Sequence, residues 1–290
     1  MKTRAWLVVP VVVALLGGAC QFAHTQTAQK PQVISVPQDA AAKGTAPSSS
    51  AQGDSTPAMQ APTAAPVTGT KRSSYNTCNV EGPYIALTFD DGPHATLTPK
   101  LLDILKEKGI KVTFFVLGEC VAANPAVLQR AAAEGHEIGN HSWDHKSFLK
   151  GGGSGVASEI NQTNAAIENA IGRKPVLVRP PYGATNAAIT KRLNEEFGLK
   201  VIMWDVDPLD WKVRNSAHVK EEILKSTKQG SIVLSHDIHP TTIDAMAETI
   251  DALKEKGFKF VTVSELIAMD RPLPAATPAP ATPAKSKKTN

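Results

Sequence analysis

Tyr84-Ile85-Ala86-Leu87-Thr88-Phe89-Asp90-Asp91-Gly92-Pro93 is a short apolar run that stops on two carboxylates and a glycine-proline bend. Residues 84–89 are aliphatic, aromatic or β-branched and too few for a helix, which predicts a buried strand. Gly92 and Pro93 turn the chain, so both aspartates fall at the strand's carboxyl end. The same grammar recurs at 112–117, 137–140, 176–178, 201–206, 231–235 and 259–261. Helical patterns fill the intervals at 99–108, 158–171, 186–197, 217–228 and 242–256, and Thr262 with Glu265 forms a capping box opening a last helix that runs to Met269. Gly109, Gly135, Gly172, Gly198 and Gly257 follow helical stretches where left-handed C-caps are expected. Strands alternating with helices predict an α/β domain over 76–270 with parallel strands and crossover helices, as a closed barrel or an open doubly wound sheet.

The chain has 290 residues, 42% of them hydrophobic, and a net charge of +4. Residues 1–75 carry net +4 and residues 271–290 another +4, which leaves 76–270 at −4. The folded part is mildly acidic, so nucleic acid is excluded as a partner. Lys2 and Arg4 precede an apolar run over 5–16, followed by Gly17, Gly18, Ala19 and Cys20. That run is shorter than the about 20 residues a membrane span needs and reads as an export signal, 1–19. It is similar to a bacterial lipoprotein signal with Cys20 as the lipidated residue, although Leu16 sits one place early for that pattern; ordinary signal cleavage is the alternative. Either outcome predicts an exported protein of the periplasm or cell envelope. Residues 20–75 are rich in Ala, Pro, Ser and Thr and are expected to form a disordered tether with a reach of about 40 Å. Residues 271–290 form a Pro/Ala-rich basic tail. Cys78 and Cys120 would meet an oxidising compartment, either bridged to each other or as two buried thiols.

The residues that follow the apolar runs are Asp90 and Asp91, His141, Arg179, Asp207 and His236. All sit at carboxyl ends of strands, the edge where ligand sites gather in barrels and open parallel sheets alike. His141 and His145 are four apart, so one helical turn would place both rings on one face. A carboxylate from the first strand, Asp91, completes a three-ligand set with open positions for water. Two adjacent carboxylates repel unless a cation or an arginine neutralises them, which favours a metal beside Asp90-Asp91. Two histidines and one carboxylate also describe non-haem iron oxygenases, but those leave the second aspartate unexplained. A serine hydrolase is disfavoured because no Gly-x-Ser-x-Gly elbow occurs.

Thr88-Phe89-Asp90-Asp91-Gly92-Pro93, His141-Ser142-Trp143-Asp144-His145, Arg179-Pro180-Pro181-Tyr182-Gly183, Asp207-Pro208-Leu209-Asp210-Trp211 and Ile232-Val233-Leu234-Ser235-His236-Asp237 together resemble the five motifs of the polysaccharide deacetylases, the NodB-homology or family four carbohydrate esterases. The motifs occur in family order over about 80–265. The resemblance implies a distorted seven-stranded β/α barrel and metal-dependent removal of N-acetyl groups from N-acetylglucosamine-containing polysaccharide. It further implies that Asp91, His141 and His145 hold a divalent metal, usually zinc, with Asp90 as base and His236 as general acid. Arg179 would orient Asp90, Asp210 would tune His236, and the backbone N–H of Tyr182 would face the oxyanion. Trp211 and Leu234 are expected to wall a pocket for the acetyl methyl, with ordinary packing as the plainer alternative. Tyr182 and Trp143 are candidates to stack on sugar rings, whereas Trp204 is expected in the core, and His94, His136, His218 and His239 on loops or surface. Peptidoglycan or an envelope polysaccharide is the expected substrate and a monomer the expected state. Acetyl xylan or another O-acetyl ester is the alternative substrate, and a catalytically silent wall-binding module the alternative of another class.

Overall fold

The computed structural model describes residues 72–271. The expected export signal, Cys20, the tether up to residue 71 and the tail beyond residue 271 lie outside the described residues. In chain order the elements are β1 (Ser74–Tyr75), β2 (Tyr84–Asp90), α1 (Leu97–Lys108), β3 (Thr113–Val116), α2 (Gly118–Ala123), α3 (Pro125–Ala133), β4 (Glu137–Asn140) and α4 (Val156–Ile171). They continue with β5 (Leu177–Val178), α5 (Ala187–Glu195), β6 (Lys200–Ile202), α6 (Ser216–Ser226), β7 (Ile232–Val233), α7 (Pro240–Glu255), β8 (Lys259–Phe260) and α8 (Val263–Ala268).

The strands form one parallel sheet in the order β1-β6-β5-β4-β3-β2-β7, with β8 paired to the start of β2. Between β6 and β7 there is no ladder, only an isolated bridge from Val206 to Val233 with Leu234 N–H donating to Val206 O at 2.9 Å. The barrel is therefore distorted and incompletely closed. β1 lies below this gap and was not anticipated; at two residues it is too short to carry a period, yet Tyr75 is buried and the fold starts before residue 76.

The period of two along each strand sorts side chains into layers. On β2, Ile85, Leu87 and Phe89 pack outward against Leu101, Leu102 and Leu105 of α1 and Met246, Ile250 and Leu253 of α7. Ala86 faces the other way and joins Phe115, Leu177, Ile202 and Ile232 in the barrel interior. Gly139 of β4 has no side chain because Phe115 fills its place: a Cβ there would lie 2.6 Å from the Phe115 ring. Val263 and Leu266 of α8 enter the same inner cluster, each burial contributing about 1.5–3 kcal/mol. The Thr262–Glu265 capping box starts this helix, while Val263 N–H and Ser264 N–H donate to Thr113 and Glu137, the first residues of β3 and β4. The helix thus closes the barrel floor. Val178 and Val201 face outward against Ile160 of α4 and Ile189 and Leu193 of α5.

The five glycines expected as helix C-caps all have positive φ, from 63° to 86°. Asn186 and Asn215 cap α5 and α6 by accepting N–H groups at 2.9 Å, worth about 1 kcal/mol each. The helices α2 and α3 were not singled out in the sequence.

Cys78 and Cys120 are not bridged to each other. Cys78 N–H donates to Gly230 O at the floor, and burial pushes its thiol up to about 12, whereas Cys120 lies in α2 beyond the opposite end of β3. Full strands separate them, well past bridging distance. The two ends of the described chain meet at one corner of the floor. Arg72 Nη1 reaches both carboxylate oxygens of Asp270 at 3.1 Å, Asn79 N–H donates to Asp270 at 2.6 Å, and Arg271 N–H to Asn79 O at 2.8 Å.

Candidate metal and catalytic centre

The inward phase that gives an apolar floor gives a polar roof two residues later. Thr88 and Asp90 follow Ala86 on β2, Arg179 follows Leu177 on β5, and Leu234 and His236 follow Ile232 on β7. Arg179 is fully buried and binds several inward groups at once. Its Nη1 donates to Asp90 Oδ1 at 2.7 Å and Thr88 Oγ1 at 2.8 Å, and its Nη2 to Met203 O at 3.1 Å. Its guanidinium lies 4.2 Å from the Phe115 ring centroid and 5.5 Å from that of Trp204, so the roof rests on the floor layer. Burial lowers the Arg179 pKa, and the Asp90 charge opposes that shift.

Beyond Asp90 the chain leaves the sheet abruptly. Asp91 adopts φ 75°, a left-handed conformation that costs a non-glycine residue about 1–3 kcal/mol. Its carboxylate turns toward His141 and His145: Asp91 Oδ1 lies 3.5 Å from His141 Nε2 and 3.6 Å from His145 Nε2. These separations are too long for hydrogen bonds, and Oδ1 is a buried oxygen without a hydrogen-bond partner. They suit a shared cation: two ligand atoms about 2.05 Å from a tetrahedral zinc stand about 3.4 Å apart. The ligand atoms of Asp91, His141 and His145 all fall within 4.8 Å of one another. Asp90 Oδ2 is 3.6 Å from His141 Nε2, alongside this centre.

The protonation states agree with that fit. His141 Nδ1 donates to Arg179 O at 2.7 Å, which leaves the Nε2 lone pair facing Asp91. Burial lowers the pKa of both imidazoles and so holds them neutral, the ligating form. Burial also raises Asp91, against the pull of His141 and His236. A buried carboxylate in that position calls for a positive partner.

The expected helical turn between His141 and His145 is absent. The segment is a loop with Ser142 at φ 73° and His145 at φ 61°, held where Asn140 Oδ1 accepts Ser142 N–H at 2.8 Å and Ser142 Oγ accepts His145 N–H at 3.0 Å. The rings still converge, with centroids 5.0 Å apart. Tyr182, itself at φ 60°, packs its ring edge-on against His145 at 4.3 Å and is 71% exposed.

On the opposite side, Asp210 is fully buried and collects four donors. Its Oδ1 accepts from His236 Nδ1 at 2.8 Å and Trp211 N–H at 2.9 Å; its Oδ2 accepts from His236 N–H and Thr242 Oγ1, both at 2.8 Å. Burial opposes charge on both partners, but the hydrogen bonds dominate. Asp210 falls below its ordinary value, and His236 rises to about 9 because the Asp210 contact and the Asp90 and Asp91 charges outweigh its desolvation. His236 is therefore an imidazolium at neutral pH, bound through Nδ1.

Leu234 is buried at 3% exposure, Trp211 is 48% exposed, and Trp204 is half-buried against Arg179 rather than set in the core. Of the four other histidines expected on loops or surface, His239 lies on the loop before α7, whereas His136, also on a loop, is buried. His136 is buried under Phe114, accepts Val112 N–H, and is lowered to about 4 by burial. His239 is half-buried with its ring 5.8 Å from that of His236, and burial lowers it to about 4 as well. Asp237, which no sequence reading assigned a task, is fully buried, and burial pushes its carboxyl up to about 7.

The polysaccharide deacetylase family matches residues 78–202. A peptidoglycan-N-acetylglucosamine deacetylase of Listeria monocytogenes is 46% identical over 182 residues, covering 63% of this chain and 38% of that protein. The chain thus spans about two fifths of the length of that relative. A Bacillus cereus peptidoglycan-N-acetylglucosamine deacetylase is 37% identical over 188 residues, covering 63% of this chain and 87% of the relative. A solved peptidoglycan N-acetylglucosamine deacetylase bound to a hydroxamate-type benzamide superposes with a TM-score of 0.65 at 32% identity, covering 69% of this chain and 95% of that one. The parallel strand order, the shared length and these identities lead to one assignment: the chain belongs to the polysaccharide deacetylase family.

Proposed function

We propose that the chain is a metal-dependent hydrolase that removes N-acetyl groups from N-acetylglucosamine units of a polysaccharide, peptidoglycan or another envelope polymer. One observation carries this reading: the Asp91 Oδ1, without a hydrogen-bond partner among the described residues and 3.5 and 3.6 Å from two imidazoles, has an arginine-bound carboxylate on one side and an aspartate-bound imidazole on the other. In this proposal Asp91, His141 and His145 hold a divalent cation, zinc by the donor set. When bound, the ion supplies Lewis acidity and makes water a nucleophile near neutral pH.

The remaining work falls to the chain's own groups. Asp90, fixed by Arg179, which Thr88 helps to hold, takes a proton from the water as the water oxygen bonds to the acetyl carbon. The Tyr182 backbone N–H is assigned to the negative charge that develops on the acyl oxygen. The C–N bond breaks as His236 gives its proton to nitrogen, because an amine leaves poorly unless protonated. Acetate and a free amino sugar result. Asp210 holds His236 as the cation before that step, and Trp211 and Leu234 border the acetyl methyl.

Acetate release measured on peptidoglycan, chitin oligomers and acetylated xylan tests the reading. Release from the first two is expected. Release from xylan alone identifies an O-acetyl esterase, and release from none identifies a silent binding module. The relatives named for peptidoglycan favour a place in the envelope. The finer proposal rests on the sequence, with residues 1–19 as export signal, Cys20 as lipid anchor, a tether from residue 20 that ends before Arg72, where the fold begins, and a monomeric domain. Intact mass of the mature protein decides the anchor: an unmodified N-terminal Cys20 removes it.

A further inference from the structure

Asp91 keeps its left-handed backbone inside a five-residue turn, and two residues outside the proposed chemistry, Thr98 and Asp237, meet that turn at three points, one through the Asp237 backbone and two through side chains. Asp237 N–H lies 3.4 Å from Asp90 O, immediately before Asp91. The Asp237 carboxyl fills the space beside Gly92, immediately after it: a Cβ on Gly92 would fall 2.3–2.7 Å from the carboxyl atoms. Thr98, in the first turn of α1, accepts His94 N–H at 2.7 Å and donates from the same hydroxyl to Asp237 Oδ2. Both side chains are buried, Thr98 at 1% and Asp237 at 0% exposure. A fourth contact, Leu117 N–H to Gly92 O at 3.0 Å, ties the turn to the end of β3.

We propose that Thr98 and Asp237 are a positioning pair that clamps the Asp90–His94 turn and so holds the Asp91 carboxylate at the distance a shared cation needs, a role that rests on the metal centre proposed above. The pair ties the start of α1 to the adjoining ends of β2 and β7, which already meet through Asp90 N–H donating to Ser235 O at 2.9 Å. Gly92 is glycine on this account because the clamp occupies the place of its side chain. Removing the hydroxyl frees His94 N–H and Asp237 together; removing the carboxyl empties the space beside Gly92. Each lets the strained residue relax toward an ordinary conformation and carries the ligand away.

The test is the zinc dissociation constant of the full chain, read by competition with a chromophoric chelator, with Tm recorded for every variant. Thr98→Val, which is isosteric, and Asp237→Ala are expected to weaken zinc binding 10–100-fold. Asp237→Asn, which keeps the shape and the acceptor for Thr98, is expected to stay close to wild type. Gly92→Ala should lose zinc through its clash with Asp237, and Gly92→Ala with Asp237→Ala should be no worse than Asp237→Ala alone. Leu253→Ala, in the outer core far from the turn, should lower Tm while leaving zinc affinity unchanged. Wild-type zinc affinity in folded Thr98→Val and Asp237→Ala overturns the clamp, as does an equal zinc loss in Leu253→Ala. A wild-type protein that binds no zinc overturns the metal centre itself, and the two failures are thereby distinguished.

Discussion

Replacing Arg179 with methionine removes a fully buried guanidinium but keeps a long side chain that can rest on Phe115. The cost follows from what remains. Asp90, 2% exposed, loses its ion pair with the arginine at 2.7 Å, and Thr88 Oγ1 and Met203 O lose charged donors at 2.8 and 3.1 Å. Leaving one member of a buried ion pair uncompensated costs about 3–5 kcal/mol. For a domain of 150–250 residues, where 1 kcal/mol shifts Tm by roughly 2–4 °C, that is a fall of about 6–20 °C. Asp90→Asn should cost a similar amount by stranding the cation instead. The double variant Arg179→Met with Asp90→Asn removes both charges and should recover much of the loss, since a buried pair is often replaceable by neutral groups. Thermal unfolding by circular dichroism reads the three variants, and acetate release is measured on the same preparations. All three should lose turnover, because each disturbs the assigned proton acceptor. A single Arg179→Met variant that melts with the wild type and turns over normally refutes both the energetic and the catalytic argument.

Three further outcomes follow from the same geometry. Asp90→Asn and His236→Ala should retain zinc yet lose about 10²-fold or more in turnover, as steady-state kinetics beside metal analysis will show. Dialysis against a chelator should abolish acetate release and zinc should restore it, whereas His141→Ala should not be restored. Asp210→Asn should move the alkaline limb of the pH–rate profile to lower pH. The sign is fixed by the raised His236 value of about 9: the imidazolium persists below it and is lost as pH rises through it. Without the Asp210 charge, burial is opposed only by the Asp90 and Asp91 charges and pulls that limit down, and a bound cation nearby lowers it further in both proteins. The stability that His236 contributes has the same sense, complete below its unfolded value near 6.5 and lost as pH rises toward about 9.

Much of the centre was legible because strand periodicity and strand ends are local signals. The run ending at Phe89 announces where Asp90 and Asp91 must lie, and the alternation that buries Ala86 and Leu177 also aims Asp90 and Arg179 inward. What was misread depends on backbone conformations that leave no mark in composition. His141 and His145 converge through left-handed Ser142 and His145 and not through a helical turn. The helices α2 and α3 bury few apolar side chains, chiefly Val121 and Leu128, and the Asn124-Pro125 break divides them, so their periodicity is faint. The burial of His136 left no cue because nothing near it in sequence names Phe114 as a neighbour. Asp237 had one usable cue, a carboxylate just past a strand end, but its partners Thr98 and Gly92 lie far from it in sequence.

The salt link between Arg72 and Asp270 fixes the polarity of the whole molecule as an object that can be held. Entry and exit of the polypeptide share one pole, and the chemistry faces outward from the other. A surface, a label or a module joined directly before Arg72 or directly after Arg271 therefore grips the domain from behind, and two such attachments crowd each other before they obstruct an incoming glycan.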